Sequence, residues 1–164
     1  MTDMNEIEYI DCNLCNADAA ILLFNKDGFR IVKCKGCGLV YVNPRLTDNK
    51  IRSLYDEQYF QGKGFDKSVN YYREFTERPA QEIKECKLRL EEIRKYKSQG
   101  RLLDLGCAFG LFLEVTYEQG WEPYGLEISS YAGNYAKQKF GSNVLIGVLN
   151  KDVFYDDYFD VITM

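Results

Sequence analysis

The chain is organised around Arg101-Leu-Leu-Asp-Leu-Gly-Cys-Ala-Phe-Gly110. Leu102, Leu103 and Leu105 form the short apolar run expected of a strand buried on both faces. The run passes straight into a glycine-bounded turn. Leu111-Phe-Leu-Glu-Val-Thr-Tyr-Glu-Gln119 then follows a helical pattern that stops at Gly120. A strand, a small-residue turn and a helix make the anion- and nucleotide-binding unit of doubly wound α/β domains. The first helical amides have no partner within the helix, so they point at the ligand.

The residues that follow repeat the alternation. Trp121-Glu-Pro-Tyr-Gly-Leu-Glu-Ile128 reads as a second strand that ends in an acidic residue, Glu127. Ser129 or Ser130 can cap a helix from Tyr131 to Phe140, which Gly141 stops. Asn143-Val-Leu-Ile146 is a third strand, and Phe159-Asp-Val-Ile-Thr-Met164 begins a fourth. Strands that alternate with helical segments predict a parallel sheet with right-handed crossovers. Ligands of such sheets bind beyond the carboxyl ends of the strands. Asp104, the turn from Gly106 to Gly110 and Glu127 would all lie along that edge.

The spacing inside the turn separates two kinds of ligand. A dinucleotide fingerprint needs Gly-x-Gly-x-x-Gly. Here glycine stands at 106 and 110, alanine at 108 and leucine at 111, so the third dinucleotide glycine is absent. Asp104 lies just before the first glycine, where a carboxylate repels a pyrophosphate but suits an ammonium or sulfonium charge. A carboxylate at Glu127 can accept two hydrogen bonds from a ribose diol. Together these features point to S-adenosylmethionine rather than NAD.

Near the N-terminus, Cys12-Asn-Leu-Cys15 and Cys34-Lys-Gly-Cys37 are two Cys-x-x-Cys pairs. Between them, Ala20-Ile-Leu-Leu-Phe24 and Phe29-Arg-Ile-Val-Lys33 read as strands around the turn Asn25-Lys-Asp-Gly28. Such a hairpin returns the second pair beside the first and puts four thiolates on one tetrahedron, which is how a structural Cys₄ zinc site is built. Gly38, and Asn16 in the other knuckle, tolerate the left-handed geometry that lets backbone amides point at sulfur. Four protein ligands close the site, so the zinc is structural.

Between the two regions, Thr47-Asp-Asn-Lys-Ile-Arg-Ser-Leu-Tyr55 begins like a helix with Thr47 as its N-cap. Asp56 to Asn70, with Tyr59, Phe60 and Phe65, shows no clear period. It either folds over a ligand or is a plain connector with its aromatics packed inward. From Pro79 a long helix is expected, with Ile83, Cys86, Leu90, Ile93 and Tyr96 at steps of three or four and Gly100 as its stop. Cys86 falls on the apolar stripe as a core thiol.

Bulk properties exclude some classes. A net charge of −4 and a pI near 5.0 argue against a nucleic-acid or anionic-membrane binder. No segment resembles a signal peptide, and no apolar run approaches the ~20 residues of a membrane helix, so the expected compartment is the cytoplasm. Thiols stay reduced there, which favours metal ligands or core residues over disulfides for the six cysteines. With 0 histidines, any metal must be held by sulfur or oxygen.

Leu103-Asp-Leu-Gly-Cys-Ala-Phe-Gly110, followed by Gly125-Leu-Glu-Ile128, resembles motif I and the acidic second-strand motif of class I S-adenosylmethionine-dependent methyltransferases. Cys34-Lys-Gly-Cys-Gly-Leu-Val-Tyr-Val-Asn-Pro-Arg45, then Tyr59-Phe60, resembles the zinc-binding N-terminal region of one branch, which includes C-methyltransferases of nucleotide-linked sugars. The resemblance implies an α/β fold: a partial Rossmann-like cofactor-binding domain (101–164) behind a small zinc-ribbon-like module (1–46) and a helical connector (47–100). It places Asp104 near the methionine amino group and Gly106, Cys107, Ala108, Phe109 and Gly110 against the ligand. Glu127 would be on the ribose and Ile128 against the adenine. Ala108 departs from the usual middle glycine. Gly147-Val-Leu149 lacks the acidic residue many relatives set on the adenine amino group, and Asp152 is not assigned that role.

The resemblance also implies methyl transfer by in-line displacement to a small-molecule acceptor, with a nucleotide-linked or polysaccharide sugar as the class that branch suggests. Such a domain has seven strands, so the chain is expected to be truncated within the fourth, with most of the acceptor pocket and the usual base beyond Met164. The open edge of Phe159–Met164 then invites self-association. Two rival readings are a zinc-containing RNA methyltransferase, against which the acidic balance counts, and a non-catalytic zinc- and nucleotide-binding module.

Overall fold

The computed structural model describes residues 6–64, 70–77, 80–150 and 152–164. Its contacts divide the chain into two units, residues 1–53 and residues 54–164.

In the first unit, β1 (Ile7–Glu8) pairs antiparallel with β5 (Arg45–Leu46), Ile7 opposite Leu46. Between them, β2 (Ala20–Lys26), β3 (Phe29–Cys34) and β4 (Val40–Val42) form a three-stranded antiparallel sheet in that order. The hairpin of β2 and β3 turns on Asp27 and Gly28, whose φ angles are 52° and 84°. Two consecutive left-handed residues make a type I′ turn, whose twist matches the flanking strands. The ladder slips one residue between Leu22 and Phe24, leaving Leu23 as a bulge. α1 (Asp48–Leu54) closes the unit. Thr47 Oγ1 accepts from Lys50 N at 3.3 Å, as an N-cap threonine should, and Lys50 pairs with Glu6 at 2.8 Å.

The second unit opens with two short helices, one inside the stretch whose sequence lacks a period and one directly after it. α2 (Glu57–Phe60) is capped by Asp56, and in α3 (Tyr71–Glu77) Asn70 Oδ1 accepts from Arg73 N at 2.9 Å. α4 (Ala80–Arg94) is the expected long helix but ends before Tyr96, which is exposed rather than on the apolar stripe; Pro79 and Phe65 lie outside the described residues. Then come β6 (Arg101–Leu105), α5 (Leu111–Glu118), β7 (Glu122–Glu127), α6 (Ser130–Phe140), β8 (Val144–Ile146) and β9 (Val161–Thr163). Ser129 is the cap that α6 uses, accepting from Ala132 N.

The four strands form one parallel sheet in the order β8-β7-β6-β9, with β6 central. The fold is therefore α/β with a parallel sheet, as the alternation predicts. On one face Leu90, Leu102, Phe112, Val115 and Trp121 pack together, with Ile83, Cys86 and Ile93 of α4 against them. Each such buried side chain contributes about 2 kcal/mol of hydrophobic stabilisation. Cys86 is a core thiol, as its place on the stripe implies. No described helix is long and apolar enough to cross a membrane.

Candidate functional site

The first unit brings Cys12, Cys15, Cys34 and Cys37 together, with all four Sγ atoms within 4.8 Å of one another. Cys12 Sγ lies 3.5 Å from Cys37 Sγ, and Cys15 Sγ lies 3.6 Å from Cys34 Sγ. A tetrahedral zinc with Zn–S bonds of ~2.3 Å sets its sulfurs about 3.8 Å apart, so the cluster fits one ion. The local backbone is built for it. Asn16 and Gly38 adopt φ of 57° and 82°, and their amides close turns onto Cys12 O at 2.8 Å and Cys34 O at 3.1 Å. Gly36 N donates to Cys34 Sγ at 3.3 Å. Backbone N–H groups, that of Cys37 first, bring the Cys34 thiol down to about 6, so sulfur charge is already favoured there.

In the second unit, the turn after β6 is held against β7. Gly106 N donates to Leu126 O at 2.7 Å, and Gly110 N donates to Cys107 O at 2.8 Å. Gly110, at φ 84°, is the N-cap of α5 but brings no side chain to the helix end. A Cβ at 110 would also lie 3.2 Å from that of Ala136, so both conformation and space select glycine there. Ala108 takes φ 46°, a left-handed conformation that is uncommon for alanine.

Glu127 ends β7 and is 3 % exposed. Its Oε2 accepts from Ala108 N at 2.8 Å and its Oε1 from Ser129 N at 2.8 Å. This carboxylate ties the turn to the start of α6. Each oxygen keeps a further lone pair for a ligand hydroxyl. Burial holds its pKa above the ordinary carboxylate value, while the Ser129 and Ala108 amides pull the other way. Ile128, half-buried, follows directly at the same edge.

Asp104 is 5 % exposed and lies on the sheet face that carries Leu102. Its Oδ1 accepts from Arg89 Nη2 of α4 at 2.9 Å and from Thr163 Oγ1 of β9 at 2.6 Å. Arg89 also lies over the Phe112 ring, 4.1 Å from its centre. Neither Arg89 nor Thr163 stands out in the sequence. Arg89 looks like one of the solvated charges beside the apolar stripe of α4, and Thr163 like a filler in an apolar strand. Only the register that sets Asp104 opposite Thr163 brings them to one carboxylate.

The side chains of the turn point away from the ligand edge. Cys107 is buried with Leu113, Ala136 and Val144, and burial pushes its thiol well up, so it is a neutral core group. Phe109 is buried with Phe60 and Ala132 in a cluster joined by Tyr59, Tyr71, Tyr72, Phe75, Tyr131 and Tyr135. Any contact of Cys107 and Phe109 with a ligand therefore runs through their backbone. The inward packing of Tyr59 and Phe60 agrees with the connector alternative for that part of 56–70. A cavity of about 560 Å³ opens on the opposite sheet face, against Leu103, Leu105 and Ile162, away from Asp104.

A family model described as a methyltransferase domain matches residues 72–164, more than half of the chain. No curated protein matches it.

Proposed function

Because this chain belongs to the family of methyltransferase domains, we propose that its turn from Gly106 to Gly110 and its Glu127 bind S-adenosylmethionine for methyl transfer to a small molecule. The observation that carries the reading is the Glu127 carboxylate, fixed by Ala108 N and Ser129 N at 2.8 Å each at the carboxyl edge of β7. A buried carboxylate pinned by two amides is rigid. It presents its remaining lone pairs to a ribose diol with little ordering left to do.

S-adenosylmethionine supplies an electrophilic methyl group on a sulfonium when bound. The chain's own residues orient it. The amides of the turn and of the first turn of α5 approach the ligand backbone-first, Asp104 offers its charge to an ammonium, and Ile128 covers the base. Catalysis by such a scaffold is mostly proximity and alignment. By the same proposal Cys12, Cys15, Cys34 and Cys37 hold a structural zinc. The acceptor is placed among small molecules, with a nucleotide-linked or polysaccharide sugar as the class the N-terminal motif resembles.

Calorimetric titration of the full chain with S-adenosylhomocysteine, S-adenosylmethionine and NAD tests this. Saturable binding of the first two and none of NAD is expected. Binding of NAD alone, or of none of the three, overturns the cofactor assignment.

A further inference from the structure

We propose that the β2–β3 hairpin of the first unit is an interfacial anchor that lays its edge strand on an anionic lipid surface. This surface is separate from the cofactor site, and the proposal stands without the S-adenosylmethionine reading.

Three observations carry it. First, β2 is the outer strand of its sheet, and its four consecutive apolar residues Ile21, Leu22, Leu23 and Phe24 are between 44 % and 52 % exposed. Clustered exposure of that kind marks a protein or membrane contact, whereas single exposed apolar residues are ordinary. Second, the register spreads these side chains around the strand. Leu22 lies opposite Val32 and Phe24 opposite Ile31. Neighbouring residues of β3 point to opposite faces, so Leu22 and Phe24 do too, and the bulge leaves Leu23 unpaired between them. A rigid protein partner covers one face of such a strand; a fluid apolar layer surrounds all four side chains. Third, Lys26, Arg30 and Lys33 are exposed on the same two strands, against one acid, Asp27, in the turn.

That charge is what an anionic surface selects. The chain as a whole carries −4. Attraction to a charged membrane, however, decays within a Debye length of about 10 Å, so the segment that faces the lipid decides its sign. Lys and Arg keep their charged ends among the headgroups while their stems lie along the apolar layer. The free backbone edge of β2 limits the depth. Unbonded N–H and C=O groups do not enter hydrocarbon, but the headgroup layer offers them water and phosphate oxygens, and side chains reach from there into the acyl boundary.

Co-sedimentation of the full chain with vesicles tests this. Phosphatidylcholine vesicles with about 30 % phosphatidylglycerol should bind it about tenfold or more tighter than phosphatidylcholine alone at ~0.1 M salt, and much less at ~0.5 M. Phe24→Asp should weaken binding about tenfold or more. Lys26→Glu combined with Arg30→Glu should do the same, whereas Lys87→Glu on α4 should change it less than about twofold. In Phe24→Trp, vesicles should shift the added emission to the blue and brominated lipid should quench it, above the background of Trp121. A wild-type chain that ignores anionic vesicles overturns the proposal even if the variants do not fold. So does binding that Phe24→Asp leaves intact, that Lys87→Glu weakens equally, or that proceeds without quenching. A dimer that ignores vesicles and is split by Phe24→Asp would assign the strand to a second copy of the chain, and that too overturns the lipid reading.

Discussion

At the residue scale, Glu127 is where chemistry and folding pull in opposite directions. Burial raises its pKa above the usual 4.5 of a glutamate, while the proposed ribose binding needs the ionised form. Ligand affinity should therefore be greatest above that raised value and fall as pH drops through it. The effect on stability has the opposite sign. A carboxyl group whose folded pKa exceeds its unfolded one contributes more stability when protonated, so acidification through this window relieves the strain of burial. Loss of binding there is then not unfolding, and a melting curve recorded beside each titration distinguishes them. Glu127→Gln should flatten the pH profile and weaken S-adenosylhomocysteine by about 1.5–3 kcal/mol; an unchanged profile would remove Glu127 from the ribose. Gly110 makes a separate point about backbone. A residue with a Cβ at φ 84°, 3.2 Å from Ala136 Cβ, should cost Gly110→Ala about 1–2 kcal/mol. Chemical denaturation reads this directly, and a stability equal to wild type contradicts the left-handed cap.

At the element scale, the aromatic cluster explains how short helices persist next to the turn. α2 spans four residues and α3 seven, lengths at which an isolated helix does not hold in water. Phe109 gives them a surface. Its ring lies 5.2 Å from that of Phe60, 5.1 Å from Phe75 and 5.8 Å from Tyr72. Phe109→Ala should destabilise the second unit by about 3–5 kcal/mol, and amide exchange in 71–77 should rise before that in β6. Equal loss of protection in both segments would mean that the cluster is not what holds the short helices. The same physics separates what was legible in the sequence from what was not. Strands β2, β3, β6 and β7 and helices α4, α5 and α6 carry their own period and stop signals, and they lie within a few residues of where the pattern places them. α2, α3 and the short strands β1, β4 and β5 do not, because distant partners make them regular. The two Cys-x-x-Cys pairs and the Asp104 to Glu127 edge are local patterns and could be read directly. The burial of the Cys107 and Phe109 side chains could not, since spacing says nothing about which way a turn residue points. Nor could the Arg89–Asp104–Thr163 contact, which needs three elements in register.

At the scale of the whole molecule, the two units differ in what can hold them folded. Among the described residues of 6–53, the buried apolar side chains are Cys12, Val32 and Cys34, and two of those three are candidate metal ligands. Ile21, Leu22, Leu23 and Phe24 of β2 are all more than two-fifths exposed. A unit of this size that encloses so little apolar volume needs a cross-link or a metal. The second unit instead has a parallel sheet with Leu90, Leu102, Phe112, Val115 and Trp121 packed on one face. Removal of the proposed zinc should therefore act locally. Native mass spectrometry should find one zinc per chain. Stripping it with a strong chelator under reducing conditions should abolish amide protection across 20–34, while 101–127 keeps its protection and S-adenosylhomocysteine affinity changes less than about threefold. Cys12→Ser should reproduce that pattern without chelator, since a hydroxyl cannot supply the thiolate that zinc requires. A chain that carries no zinc yet protects 20–34 as strongly as 101–127 would show that the hairpin holds itself, and the four cysteines would then need another explanation.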